Sequence, residues 1–235
     1  MLVALTLLAG CAPKVAPADS FAAQIAAADL VWEARANAGG LDVSERAYTA
    51  LLAQRPDSPD VLWRLARSAL SRRLIDRDNA ATWYEVGREH ALRCLSADEG
   101  ISAAIARSGD RFDPEVVRVA SVPPECAALA AANVVGLARL RGSGSALDLE
   151  DAAALVHAAS PSGAVEAAWQ RWAIGMLALT TDVVASRAAL RMAAELAPGL
   201  AFFREAAVEA FPDLDGVLPR ATADPAWALE MRQGQ

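Results

Sequence analysis

His90 and Cys94 stand four residues apart, which puts two metal-ligating side chains on one face of a helix. A closed metal site needs three or four ligands, and the chain has only one other histidine, His157. Trp83, Val86, His90, Ala91 and Cys94 also form one apolar stripe, so packing accounts for the pair and no metal is expected. Asp60, Arg64, Arg67 and Ser71 follow i, i+4, i+7, i+11 spacing and share a face opposite Leu62, Leu65 and Ala66. Arginine presents a planar fork that grips a carboxylate through two hydrogen bonds. Trp63, Arg64 and Arg67 are therefore candidates for a groove that takes a partner protein or a small-molecule anion. A solvated face on which Asp60 pairs with Arg64 explains the same spacing. Trp169 and Trp172 flank Arg171 and offer either an aromatic ligand surface or a packing anchor. Gly142-Ser143-Gly144-Ser145 lacks the lysine of a phosphate loop and reads as a connector. No Gly-x-Ser-x-Gly, His-Glu-x-x-His or kinase-like set is present, and two histidines leave little acid–base capacity. Neither catalysis nor a cofactor is expected.

The three cysteines divide by position. Cys11 closes the apolar run Met1-Leu-Val-Ala-Leu-Thr-Leu-Leu-Ala-Gly, and the Pro-rich stretch Ala12 to Ala18 follows it. Ten helical residues reach only about half of a ~30 Å hydrocarbon core, so this run does not span a membrane. Leu8-Ala9-Gly10-Cys11 resembles the lipobox of bacterial lipoproteins. The resemblance implies cleavage before Cys11, acylation of its thiol, residues 1–10 as a signal peptide and residues 11–18 as a flexible tether. Ala12, rather than an aspartate, follows the cysteine, which in that resemblance directs a lipid-anchored protein to the periplasmic face of the outer membrane. No Lys or Arg precedes the apolar run, unlike most export signals, and a start codon further upstream would account for this. Cys94 and Cys126 remain as a pair that an oxidising compartment would allow to form a disulfide; two buried free thiols fit a helical core equally well.

These residues must be held by helices. Alanine supplies about a quarter of the 235 residues, and 54% are hydrophobic, while strand-favouring types are sparse. Gly and Pro signals divide the chain into nine predicted helices at 19–36, 41–54, 60–76, 79–97, 125–141, 148–158, 163–179, 182–197 and 200–211. The segment Asp98 to Glu125 reads as irregular. With 29 acidic against 22 basic residues the net charge is −7, which argues against binding nucleic acid.

Asp57-Ser58-Pro59-Asp60-Val61-Leu62-Trp63-Arg64-Leu65-Ala66 resembles the opening of a tetratricopeptide repeat, with Tyr48, Leu51 and Pro56 at the close of the preceding one. Ala188, Leu190, Ala194, Leu196 and Pro198 repeat that ending. The order of lipobox, Leu62 to Ala66, Tyr84, Gly87 and Ala91, the excursion, Val122-Pro123 and a last repeat resembles the tetratricopeptide-like T components associated with tripartite ATP-independent periplasmic (TRAP) transporters. The family often has aromatic residues just after its Val-Pro start, where this chain has Ala127, Ala128 and Leu129. The resemblance implies an all-α, tetratricopeptide-like helical-hairpin solenoid over residues 19–215. Residues 216–235 are read as a C-terminal tail, in which Trp227 and Leu229 suggest docking. It also implies a noncovalent binding or scaffold module in the periplasm, an envelope protein partner, and a homo-oligomer in some members. A structural assembly factor with no small ligand is the alternative.

Overall fold

The computed structural model describes residues 17–35, 39–108, 114–119, 122–142 and 146–219. The lipobox with Cys11, most of the tether, residues 143–145 of the Gly-Ser connector and the tail from 220 onward lie outside them. The described chain is all-α. Its helices are α1 (Pro17–Glu33), α2 (Gly40–Gln54), α3 (Pro59–Ile75), α4 (Ala80–Ser96), α5 (Glu99–Ser108), α6 (Pro114–Val119), α7 (Glu125–Arg141), α8 (Ala146–Ala158), α9 (Ala164–Ala178), α10 (Val183–Leu196) and α11 (Ala201–Ala210). A single 3-10 turn, Pro212–Leu214, follows.

The nine predicted helices become eleven. The difference lies in the segment read as irregular, which holds α5 and α6. Asp98 Oδ1 accepts a hydrogen bond from the Ile101 amide at 3.0 Å and so caps the first turn of α5, while Ile101, Ala104 and Val117 supply buried contacts. Gly100 and the Ser108-Gly109-Asp110 string masked that short apolar periodicity.

Elsewhere the stop and start signals act as their chemistry requires. Pro59 takes the first turn of α3, where no amide partner is needed. Asp182 accepts from the Ala185 amide at 2.9 Å and caps α10. Gly142 ends α7 at φ 65°, a left-handed conformation that favours glycine.

Adjacent helices pack as α1 on α2, α3 on α4, and α9 on α10, the last joined by the Ser186 hydroxyl donating to Gly175 O at 2.8 Å. Helix α7 is the hub. It packs against α3, α4, α8 and α9, and Ala127, Ala128, Ala130, Ala131 and Ala132 are all buried, so its first turns are enclosed on every side. Small side chains let four neighbours approach one axis.

The α4–α7 crossing is a reciprocal fit. A Cβ on Gly87 would lie 2.2 Å from Asn133 Oδ1, and one on Gly136 would lie 2.1 Å from the Tyr84 ring. Each helix offers a glycine slot, and the other inserts the side chain three residues from its own glycine. Cys94 on α4 and Cys126 at the start of α7 are joined by a disulfide, with Cα atoms 5.7 Å apart.

Candidate functional site

The sequence pattern placed Trp63, Arg64 and Arg67 on one helix face, and the structure brings them to the junction of α1, α2, α3 and α9. Arg64 Nε and Nη2 grip the two oxygens of Asp29 on α1, each at 2.7 Å. Its Nη1 donates to Asp60 O at 2.6 Å, so Asp60 meets Arg64 through its backbone. Arg67 is 6% exposed; it donates to Glu166 Oε1 at 3.0 Å and to the Tyr48 hydroxyl at 3.2 Å. Tyr48 in turn donates to Asp29 Oδ1 at 2.6 Å. The Arg67 guanidinium lies 3.4 Å over the Trp32 ring and 4.9 Å from that of Trp63, and Arg64 lies 4.2 Å over Trp63. Both guanidiniums are thus engaged within the fold, and Ser71 on the same face is buried. Burial pushes the Asp29 carboxyl up, but the hydrogen bonds from Arg64 and Tyr48 and the charges of Arg64 and Arg67 outweigh it and hold the group below the usual carboxylate range. Burial, aided by Asp29, pushes the Tyr48 hydroxyl well above its usual range, so it stays a donor.

This junction fixes α3 against α9, and further along the same two helices a cavity of about 350 Å³ opens toward α4, α7 and α11. Arg73, Tyr84, Arg139, Trp172, Phe202 and Glu209 are among its lining residues, with Met176 and Leu179 on the apolar wall. The volume lies within the range of small-molecule sites. Arg73 is half-buried, with its guanidinium 4.5 Å from the Phe202 ring centroid and 5.5 Å from that of Tyr84. Its Nε is shielded from solvent without a hydrogen-bond partner, and no carboxylate among the described residues pairs with it. Burial pushes the Arg73 pKa down, yet a guanidinium remains charged. Trp172 Nε1 is likewise shielded with no acceptor.

The local reason for the isolation of Arg73 is visible on α3. Its neighbour Arg72 is taken by Asp42 and Glu45 of α2. Asp76, the carboxylate one turn on, is held by Trp83 Nε1 at 2.9 Å and by Asn79. Trp169 is fully buried and packs on Trp172, Phe202 and Phe203 at centroid distances of 5.5, 5.1 and 4.8 Å. Of the two tryptophans singled out in the sequence, Trp169 is core and Trp172 is cavity wall. Arg73, Tyr84, Arg139 and Phe202 come from four helices; spacing within one helix does not reveal them, and the one local signal was the pair of adjacent arginines on α3. His90 is half-buried, and burial lowers its pKa; Cys94 is in the disulfide. Among the described residues no three His, Cys, Asp or Glu side chains gather to hold a metal, and no helix is long and apolar enough to cross a membrane.

No family model, curated protein or solved structure matches the chain.

Proposed function

We propose that the protein is an exported lipoprotein whose helical hairpins form a tetratricopeptide-like solenoid and act as a noncovalent binding module. Anchored through Cys11, it works on the periplasmic face of the outer membrane beside a TRAP-type uptake system and meets an envelope protein there. The observation that carries a binding role is the cavity lined by Arg73 and Arg139, two cations with no carboxylate partner among the described residues, and walled by Trp172 and Phe202. The run Leu8-Ala9-Gly10-Cys11 supports the anchor. Two or three acyl chains, at about 0.8 kcal/mol per buried CH₂, give stable attachment without a spanning helix. Labelled fatty acid fed to cells expressing the full gene tests the anchor: incorporation at Cys11, with release from the membrane fraction in Cys11→Ala, is the expected result. An unlabelled protein, or fractionation unchanged by Cys11→Ala, overturns the exported-lipoprotein reading.

A further inference from the structure

We infer that the cavity between α3, α4, α7, α9 and α11 takes a monocarboxylate with an aromatic or branched aliphatic body, its carboxylate held by Arg73. The inference rests on the cavity being the site through which the protein binds, and it adds the ligand's chemistry.

Three observations specify that chemistry. The first is the contrast along α3. Arg64 and Arg67 each meet a carboxylate supplied by another helix, at 2.7 and 3.0 Å, whereas Arg73 meets none among the described residues. A guanidinium half-withdrawn from water and left without a counter-charge carries a cost that a bound anion offsets. Its planar fork suits a carboxylate in particular, because two parallel N–H donors match two oxygens.

Charge around the cavity supplies the second. Arg73 and Arg139 contribute two positive charges and Glu209 one negative, which leaves a single positive charge to balance. Arg139 and Glu209 are exposed at the rim, so the charge that is least hydrated is that of Arg73. A dianion would bring its second charge toward Glu209. Glu205, the other carboxylate whose charge reaches Arg73, is exposed to solvent and makes no ion pair with it.

The third concerns the walls. Trp172, Phe202, Met176 and Leu179 present rings, a thioether and an aliphatic chain, a surface that gains by excluding water from an apolar body but offers little to a sugar or a polyol.

The test is isothermal titration of the detergent-solubilised full chain with phenylacetate, hydrocinnamate and isocaproate, each beside its neutral primary amide. The expected result is that at least one acid binds about tenfold or more tightly than its amide. Arg73→Gln removes that preference while leaving the melting transition intact, and Arg73→Lys, which keeps the charge but not the fork, retains part of it. Arg139→Gln at the rim weakens binding less than Arg73→Gln. Amides that bind as tightly as the acids overturn the inference but leave a ligand-binding cavity standing. Acids that all fail at about 10 mM overturn the inference and the cavity's binding role together. Fatty-acid labelling at Cys11 reads the export and anchorage separately, so the two failures are told apart.

Discussion

Arg67 on α3 donates to Glu166 on α9 at 3.0 Å, joining positions 99 residues apart, and both side chains are almost wholly withdrawn from solvent. A pair so buried is weak evidence of net stability, because two desolvation costs oppose its attraction. Its specificity is another matter. With Tyr48 and Asp29 it ties four helices to one point, and removing one charge strands the other. Arg67→Met is expected to destabilise by about 3–5 kcal/mol. The double variant Arg67→Met/Glu166→Met should recover much of that loss, since neither charge is then left alone. Urea unfolding of the three variants measures both effects; an Arg67→Met protein within about 1 kcal/mol of the parent refutes the keystone role.

Asp29 sits on the outer side of the same network, and its ionisation carries a sign. Its folded pKa lies below the ordinary carboxylate value despite burial, because Arg64, Tyr48 and Arg67 favour the charged form. The unfolded chain therefore binds the proton first as pH falls. The stability that this group contributes is full above the unfolded pKa and is lost as pH drops through the folded one. Melting temperatures taken from about pH 6 down to pH 3 should fall less steeply in Asp29→Asn than in the parent. Parallel curves would show that Asp29 is not the group responsible.

Eight of the nine helices read from the sequence have ends within two residues of the observed ones, and the first is within three. Their Gly, Pro and Asp signals act on the chain locally, so the sequence displays them. What it hid is of two kinds. Helices α5 and α6 are too short for their apolar periodicity to stand out in a segment interrupted by Gly100, Gly109 and Pro114. The site was hidden because its groups converge from separate helices: nothing within α3 distinguishes Arg67, whose carboxylate lies on α9, from Arg73, which has none among the described residues. The arginine face on Asp60–Ser71 was legible, but whether its guanidiniums look outward or inward depends on Asp29 and Glu166, which are remote in the chain.

The reciprocal glycines of the α4–α7 crossing are each filled by a side chain of the opposite helix. Alanine at Gly136 puts a methyl group into the Tyr84 ring, and alanine at Gly87 puts one into Asn133. Each is expected to cost roughly 1–3 kcal/mol through overpacking, although alanine is the better helix former. Gly136→Ala also displaces Tyr84, a cavity wall residue, so its ligand affinity should fall further than that of Gly87→Ala at equal melting temperature. Equal affinities in the two variants would separate the crossing from the cavity.

Cys94 and Cys126 close a loop of chain that contains α5 and α6. With a separation of 32 residues, the chain-entropy treatment gives about 3–4 kcal/mol of stabilisation. Mass measurement of the alkylated protein before and after reduction should show two thiols appearing only on reduction. Reduction should lower the melting temperature, and a Cys94→Ala/Cys126→Ala double variant should match the reduced protein. Full alkylation without reductant would instead identify two buried thiols.

Arg73 offers the opposite expectation to Arg67. Its charge is half-withdrawn from water, its Nε has no acceptor, and its compensation comes from the rings of Phe202 and Tyr84, an interaction worth about 0.5–1 kcal/mol. Replacing it by leucine removes the desolvation cost, fills the same apolar floor and leaves no partner charge behind. Arg73→Leu is therefore expected to stabilise the unliganded protein by about 1 kcal/mol while abolishing carboxylate binding. A residue that lowers stability and confers binding is one retained for the site; a residue that serves only packing lowers stability when it is removed. Thermal melts in the absence of ligand, compared for Arg73→Leu and Arg67→Met, distinguish the two roles on one helix: the first should rise and the second fall, and a fall in both would make Arg73 part of the scaffold.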